Sequence, residues 1–422
     1  MQTTEPRAHG SLVPPLRIRA FRSLWIGDSV ARLAHQATQF VLPLLAVTAV
    51  GSSASAVGAV SASQFVPVIF LSLVAGSYAS RFSTRTLLAA CNLVRGAALA
   101  LMGAVCAFTG LSFWLLITTA IVLGCVAVFH DIGYQSAVPR LLSPHQLTRG
   151  NGLFEASYSA TQMAGPALAG GAVNSLGLPT AVSVAAALFF AAAFCFLPLP
   201  VEAFSAAEQV GRAEVSIRAG LSFTWRTRSI RDLCLQSALF NLHEQAFLTA
   251  FMLYAVRSVG LSGTSFGLVL GLGSVGALAG SLAVGRIGPR LHAGAVVSVS
   301  IVVAGLSLLL GAVFAEAGPT VPVLAAAFVV NGVALAAYNV FALSLRATLP
   351  PPEYIGAVTA SYRLVSLAPL PLGALLGGVL VDGLGGRLAV TVIGLAMTVA
   401  STTLLRSPLR RVRDLEAAKA AI

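Results

Sequence analysis

Two short runs of polar side chains stand out in a chain that is otherwise strongly apolar. The first is Asp28, Arg32, His35 and Gln39, spaced i, i+4, i+7 and i+11 on one helix face, with Gln36 beside them. The second is Asn241, His243, Glu244 and Gln245. A carboxyl or an imidazole in such a place can take up and release a proton, and the amides can hold a polar group of a ligand. His243-Glu244 is not a zinc motif, because Phe247 stands where the second histidine would be. No metal is expected. The five cysteines, Cys91, Cys106, Cys125, Cys195 and Cys234, form no CxxC pair and read as small core residues.

The elements that must position these groups are membrane spans. Of 422 residues, 57% are hydrophobic and 9% are charged, where a soluble domain carries about 25% charged residues. Apolar runs are expected at 23–50, 55–79, 87–109, 112–136, 151–175, 180–199, 231–256, 264–285, 293–315, 321–345, 355–381 and 387–405. The hydrophilic stretch 201–230 divides a first bundle (1–200) from a second (231–422). His35 then lies about 16 Å from Leu24, near mid-membrane. A charge held there costs at least ~2.5–3.5 kcal/mol, so buried ionisable groups are candidates for function. Asp28 is shallower, where it can instead pair with Arg32.

Charge sets the orientation. The chain carries +12, from 26 Lys+Arg against 14 Asp+Glu. Arg7, Arg17, Arg19, Arg22, Arg81, Arg85, Arg140, Arg149, Arg286, Arg290, Arg346 and the run from Arg406 to Arg413 fall on one side, here called the basic side. Arg257 and Arg387 fall on the other. The positive-inside rule makes the basic side cytoplasmic, with both termini there and anionic lipid as its neighbour. The same arginines argue against nucleic acid, since no basic face with interleaved aromatics lies outside the spans. Lys419 is the one lysine, so a Walker-A site for ATP is excluded. Gly271-Leu-Gly273-Ser-Val-Gly276 matches GxGxxG by letters but sits inside an apolar run, and no cofactor is expected.

The halves repeat. Ala75-Gly76-Ser77-Tyr78-Ala79 with Arg81 and Arg85 reappears as Ala279-Gly280-Ser281-Leu282-Ala283 with Arg286 and Arg290. At an offset of 204 residues Tyr134 matches Tyr338, Asp28 matches Asp232, and Ala156-Ser157-Tyr158 matches Ala360-Ser361-Tyr362. Two related bundles that rock about a midplane site are the usual plan of a secondary transporter.

The loop Gly76 to Arg85 resembles the Gly-x-x-x-Asp-Arg-x-x-x-Arg loop of the major facilitator superfamily, with Ser80 in place of its aspartate. Gly165-Pro166-Ala167-Leu168-Ala169-Gly170-Gly171 is similar to a signature of that superfamily's proton-coupled drug antiporters, with Ala169 in place of one glycine. Phe21-Arg22-Ser-Leu-Trp25-Ile-Gly27 and Val138-Pro139-Arg140-Leu-Leu-Ser-Pro144 look like the branch of macrolide and enterobactin exporters. The resemblance implies an all-α membrane protein of twelve helices in two pseudo-symmetric six-helix bundles, working as a monomer in a bacterial inner membrane. It implies proton-coupled efflux of a small amphipathic molecule. An importer or a lipid transporter on the same fold is the alternative, while an intramembrane transferase would want aspartate clusters that are absent from the sequence.

The resemblance also assigns places. Spans 1, 4, 7 and 10 would line the cavity, so Glu244 is the preferred proton carrier, with His35, Asp28 and Asp131 as others. Arg32, Gln36, Gln39, Asn241, His243, Asn331, Tyr338, Asn339 and Tyr362 become candidate cavity contacts. Gly76, Arg81, Arg85, Gly280, Arg286 and Arg290 form the gate motif, and Gly165, Pro166, Gly170 and Gly171 the antiporter motif. Arg95 and Asp131, at similar depth, are expected to pair as a gate.

Overall fold

Backbone in hydrocarbon finds no water, so its apolar runs must close their hydrogen bonds internally as helices. The computed structural model describes residues 14–48, 53–71, 82–200, 217–287, 291–351 and 354–411. Gly76, Arg81 and Arg290 of the gate motif lie outside them. The first half holds α1 (Arg19–Thr48), α2 (Ala54–Leu71), α3 (Thr84–Thr109), α4 (Phe113–Leu141), α5 (Pro144–Leu176) and α6 (Leu178–Cys195). After a short helix α7 (Ile217–Arg226) come α8 (Arg228–Leu253), α9 (Gly263–Ile287), α10 (Ala293–Phe314) and α11 (Thr320–Thr348). Then follow α12 (Ile355–Leu367), α13 (Leu370–Leu384) and α14 (Gly386–Ser401).

Local chemistry sets the ends. Ser83 and Ser112 accept from the N–H groups of Thr86 and Leu115 and start α3 and α4. Ser143 and Gln146 form a reciprocal capping box ahead of α5, with Pro144 in the first turn. Gly177 and Gly385, at φ 82° and 80°, are one-residue joints between α5 and α6 and between α13 and α14. A side chain would strain that left-handed backbone. The two joints stand at matching places in the two halves.

Among the described residues, nine stretches are long and apolar enough to cross a membrane. The further long helices α1, α5 and α8, of 30, 33 and 26 residues, include the two with the candidate polar runs. Phe108, Trp114 and Phe194 are 88%, 73% and 65% exposed, which suits a hydrocarbon surround rather than water.

Two elements depart from the sequence reading. The run expected unbroken at 355–381 is two helices, α12 and α13, parted at Ala368-Pro369. Pro369 and Pro371 lack the N–H groups that would carry the ladder through. Within the stretch read as a linker, α7 packs on α12, with Phe223 stacked on Tyr354 at 4.8 Å between ring centres.

Inside the first half α1 packs on α5 and α6, α3 on α4 and α6, and α2 on α4. Inside the second half α9 and α10 pack on α11, and α14 packs on α10 and α8. The halves meet along two seams, α5 against α9 and α2 against α13. Both are built from small residues. Gly170 abuts Gly263, Gly267 abuts Pro166, Gly58 abuts Ala374, and Gly378 abuts Ala54. A Cβ at Gly267 would strike the α5 backbone, so these glycines permit the close approach.

Candidate transport cavity and its gates

Where the seams converge, a cavity of about 180 Å³ opens between the halves. Its polar wall is Gln36 and Gln39 from α1, Ser61 and Gln64 from α2, and Gln245 and Thr249 from α8. Its apolar wall includes Phe40, Phe65, Leu248, Met252 and Phe266. Among the described residues, no formal charge lines it. Amides and hydroxyls beside aromatic rings suit an amphipathic molecule held by a few hydrogen bonds, and the volume is below the roughly 300 Å³ of a drug-sized pocket. Toward the side away from the arginines, a chain of rings borders the space. Phe40 meets Phe266, Phe266 meets Phe251, and Phe251 meets Phe328 at 5.1–5.5 Å.

On that side the α2–α13 seam ends in a helix cap shared between halves. Asp382 accepts from the backbone N–H groups of Ala54 and Ser55, each at 2.8 Å. A carboxylate from the second half thus occupies the N-terminus of a helix in the first, where the helix dipole favours it. Nearby, Arg387 pairs with Glu316 at 2.8 Å and Tyr254 donates to the same carboxylate at 2.8 Å.

Toward the basic side an apolar groove of about 210 Å³ lies between the halves, walled by α2, α4 and α12. Among the described residues, one ion pair spans it. Asp131 on α4 reaches Arg363 on α12 at 3.8 Å, both half exposed. The pair expected between Asp131 and Arg95 is not formed: Arg95 is buried with its guanidinium 5.4 Å from the Phe189 ring.

The candidates separate into distinct environments. Gln36 and Gln39 line the cavity, and the Gln39 amide donates to the His35 ring nitrogen at 3.1 Å. His35 therefore stands one turn behind the cavity wall. Asp28 is fully buried and accepts from Arg32 Nε at 2.6 Å, with its other oxygen unpartnered. The Arg32 guanidinium lies 5.0 Å from the Tyr134 ring and 5.3 Å from the Tyr158 ring. Glu244 is half-buried at the middle of α8, next to the cavity residue Gln245, and no hydrogen bond or ion pair reaches it among the described residues.

Other candidates tie helices together. Asn241 donates to the carbonyl and hydroxyl of Ser366 at 2.8 and 2.9 Å, and Asn331 donates to the carbonyl of Ala304 at 3.1 Å. His243 bonds the Leu239 carbonyl at 2.7 Å. Tyr338 and Tyr362 both bond the Ser237 hydroxyl, and the Arg346 guanidinium covers the Tyr362 ring at 3.7 Å. Asn339 is exposed on α11. Of the glycine motifs, Gly165 packs on Gln36, Gly170 lies in the α5–α9 seam, Gly171 faces open space, and α5 runs on past Pro166 unbroken. Gly280 packs against Val333 on α11, Arg286 ends α9, and Arg85 sits in the first turn of α3.

Ser61, Gln64, Thr249 and Asp382 were not singled out from the sequence. Gln64 carries a usable signal, a lone amide inside an apolar run; Asp382 does not, because near a span end it reads as a loop charge.

Comparisons with known proteins agree with this architecture. A family model described as transmembrane secretion effector matches residues 10–421. The chain is 26% identical over 405 residues to the multidrug efflux pump Tap of Mycobacterium tuberculosis, covering 93% of this chain and 92% of the pump. It is 27% identical over 260 residues to the uncharacterised MFS-type transporter y4rN of Sinorhizobium fredii, a match that spans 59% of this chain and 61% of that one. A bacterial homologue of the iron transporter ferroportin, solved in an inward-facing state, superposes with TM-score 0.70 at 19% identity, covering 93% and 98% of the two chains.

Proposed function

Because the chain belongs to the transmembrane secretion effector family of major facilitator transporters, we propose that it exports a small amphipathic molecule in exchange for protons. The carrying observation is a polar-and-aromatic cavity between two related halves, bordered at one end by the Phe266 cluster and the Asp382 cap. At the other end the halves are spanned by the half-exposed Asp131–Arg363 pair. With the basic side cytoplasmic, that is a state ready to load from the cell interior or the inner leaflet. The similarity to Tap over most of both chains supports efflux rather than import.

Glu244 is the proposed proton carrier. Among the described residues no counter-charge reaches its carboxyl, which leaves it free to take up a proton on one side and release it where water reaches it. Each charge moved down 100 mV supplies ~2.3 kcal/mol, enough for about fiftyfold accumulation. The test is uptake of amphipathic dyes and macrolides into inverted vesicles. Uptake driven by an acid interior supports export, and a panel with no pH-driven uptake under any condition would overturn it.

A further inference from the structure

Outside the transport path, a second cleft lies on the basic side of the second half. It is an open cleft of about 910 Å³ lined by Arg228, His292, Ala295, Arg406, Ser407 and Arg410 among others, with the arginines and His292 exposed. Three elements build it: the start of α8, the start of α10 and the 3-10 turns that follow α14.

The cleft is held in shape by its own contacts. Ser407 donates to Asp232 Oδ2 at 2.6 Å, and Thr403 donates to Gln236 at 3.1 Å, so the segment after α14 is fastened to α8. Gly294 lets the same segment lie on α10, since a Cβ there would strike the Leu409 carbonyl. The carboxylate of Asp232, at the start of α8, is engaged by Ser407 and by Arg231 at 3.7 Å. Among the described residues, no acidic side chain lines the cleft. Arg228, Arg406 and Arg410 have no carboxylate partner among the described residues. In addition, α10 starts without a side-chain cap: the His292 side chain makes no hydrogen bond to its first turn, and Ala295 of that turn faces the cleft. Its leading N–H groups and the positive end of its dipole are left for a ligand.

Three guanidinium forks, an imidazole and an uncapped helix start call for a multidentate oxyanion, and phosphate fits the forks best. We propose that this cleft binds a phosphate group, presented by an anionic phospholipid headgroup or free in solution. Its place beyond the end of α14, where headgroups lie, makes the lipid the expected source. The site does not depend on the direction of transport.

The experiment uses the full chain purified in detergent and a fluorescent phosphatidylglycerol. Wild type is expected to bind it in preference to the phosphatidylcholine analogue, with affinity falling as salt rises. The triple variant Arg228→Gln, Arg406→Gln, Arg410→Gln is expected to lose about tenfold or more of that affinity. The corresponding triple Arg→Lys variant, which keeps the charge, is expected to retain part of it. Competition by inorganic phosphate or glycerol phosphate at equal affinity would support the site and assign it to the free anion. Equal binding of the two lipids by wild type, or undiminished binding by the glutamine triple, would overturn it.

Discussion

At the scale of single residues, the polar groups held by matching tyrosines in the two bundles live in opposite circumstances. Asp28 is fully buried against Arg32, and the guanidinium is wedged between Tyr134 and Tyr158. The matching tyrosines of the second half, Tyr338 and Tyr362, clasp the neutral Ser237 instead. The repeat kept the rings and exchanged what they hold. Asp28→Ala alone leaves Arg32 without its partner and is expected to cost about 3–5 kcal/mol. Asp28→Asn with Arg32→Gln should cost far less, and thermal unfolding in detergent compares the two. For Glu244 the expectation concerns coupling, not stability: Glu244→Gln should abolish pH-driven accumulation while substrate exchange across vesicles continues, and intact pH-driven uptake would remove it as the carrier. Gln39→Ala and Gln245→Ala should raise the KM for substrate several-fold with little effect on folding, because each loses a hydrogen bond worth about 0.5–1.5 kcal/mol.

At the scale of helices, the seams decide which conformations exist. Glycines that put α5 on α9 and α2 on α13 let backbones touch, and Gly267→Leu should hold that seam open. The result would appear as greater labelling of cysteines placed behind the Phe266 cluster by a reagent added from the side opposite the arginines. Asp382→Asn should shift labelling in the same direction, since an amide caps the start of α2 less well than a carboxylate. Asp131 and Arg363 span the groove at the other end. As a half-exposed pair they contribute under about 1 kcal/mol to stability, so single alanine variants should fold normally. If the pair helps close the basic side, each alanine variant will transport poorly and the exchange Asp131→Arg with Arg363→Asp will recover activity; failure of the exchange would argue for a purely local role. Proline had a plainer effect here. Pro166 sits inside an unbroken α5, whereas Pro369 and Pro371 together part α12 from α13, a difference that one letter in a sequence does not convey.

At the scale of the whole molecule, the distribution of arginines and the repeat were enough to read two halves of membrane helices around a shared cavity. Both signals survive without a structure because they come from transfer energies and from a local pattern, and each residue reports on its own depth. Of the two arginines opposite the basic side, Arg387 pairs with Glu316 at 2.8 Å. Depth along a helix is legible in this way, but the direction a side chain faces is not. Gln36 and Gln39 line the cavity while Asp28 on the same helix is enclosed in its bundle, and Glu244 stands beside Gln245 yet outside the cavity wall. A neighbour on a helix is turned by about 100°, and which sector meets the other half depends on how closely the seams pack. The sequence by itself therefore determined the membrane class, the helices, the duplication and the polar residues worth asking about. Only the tertiary structure decided which of them meet and that Asp382 caps a helix of the other half, because those facts are set by contacts between residues hundreds of positions apart.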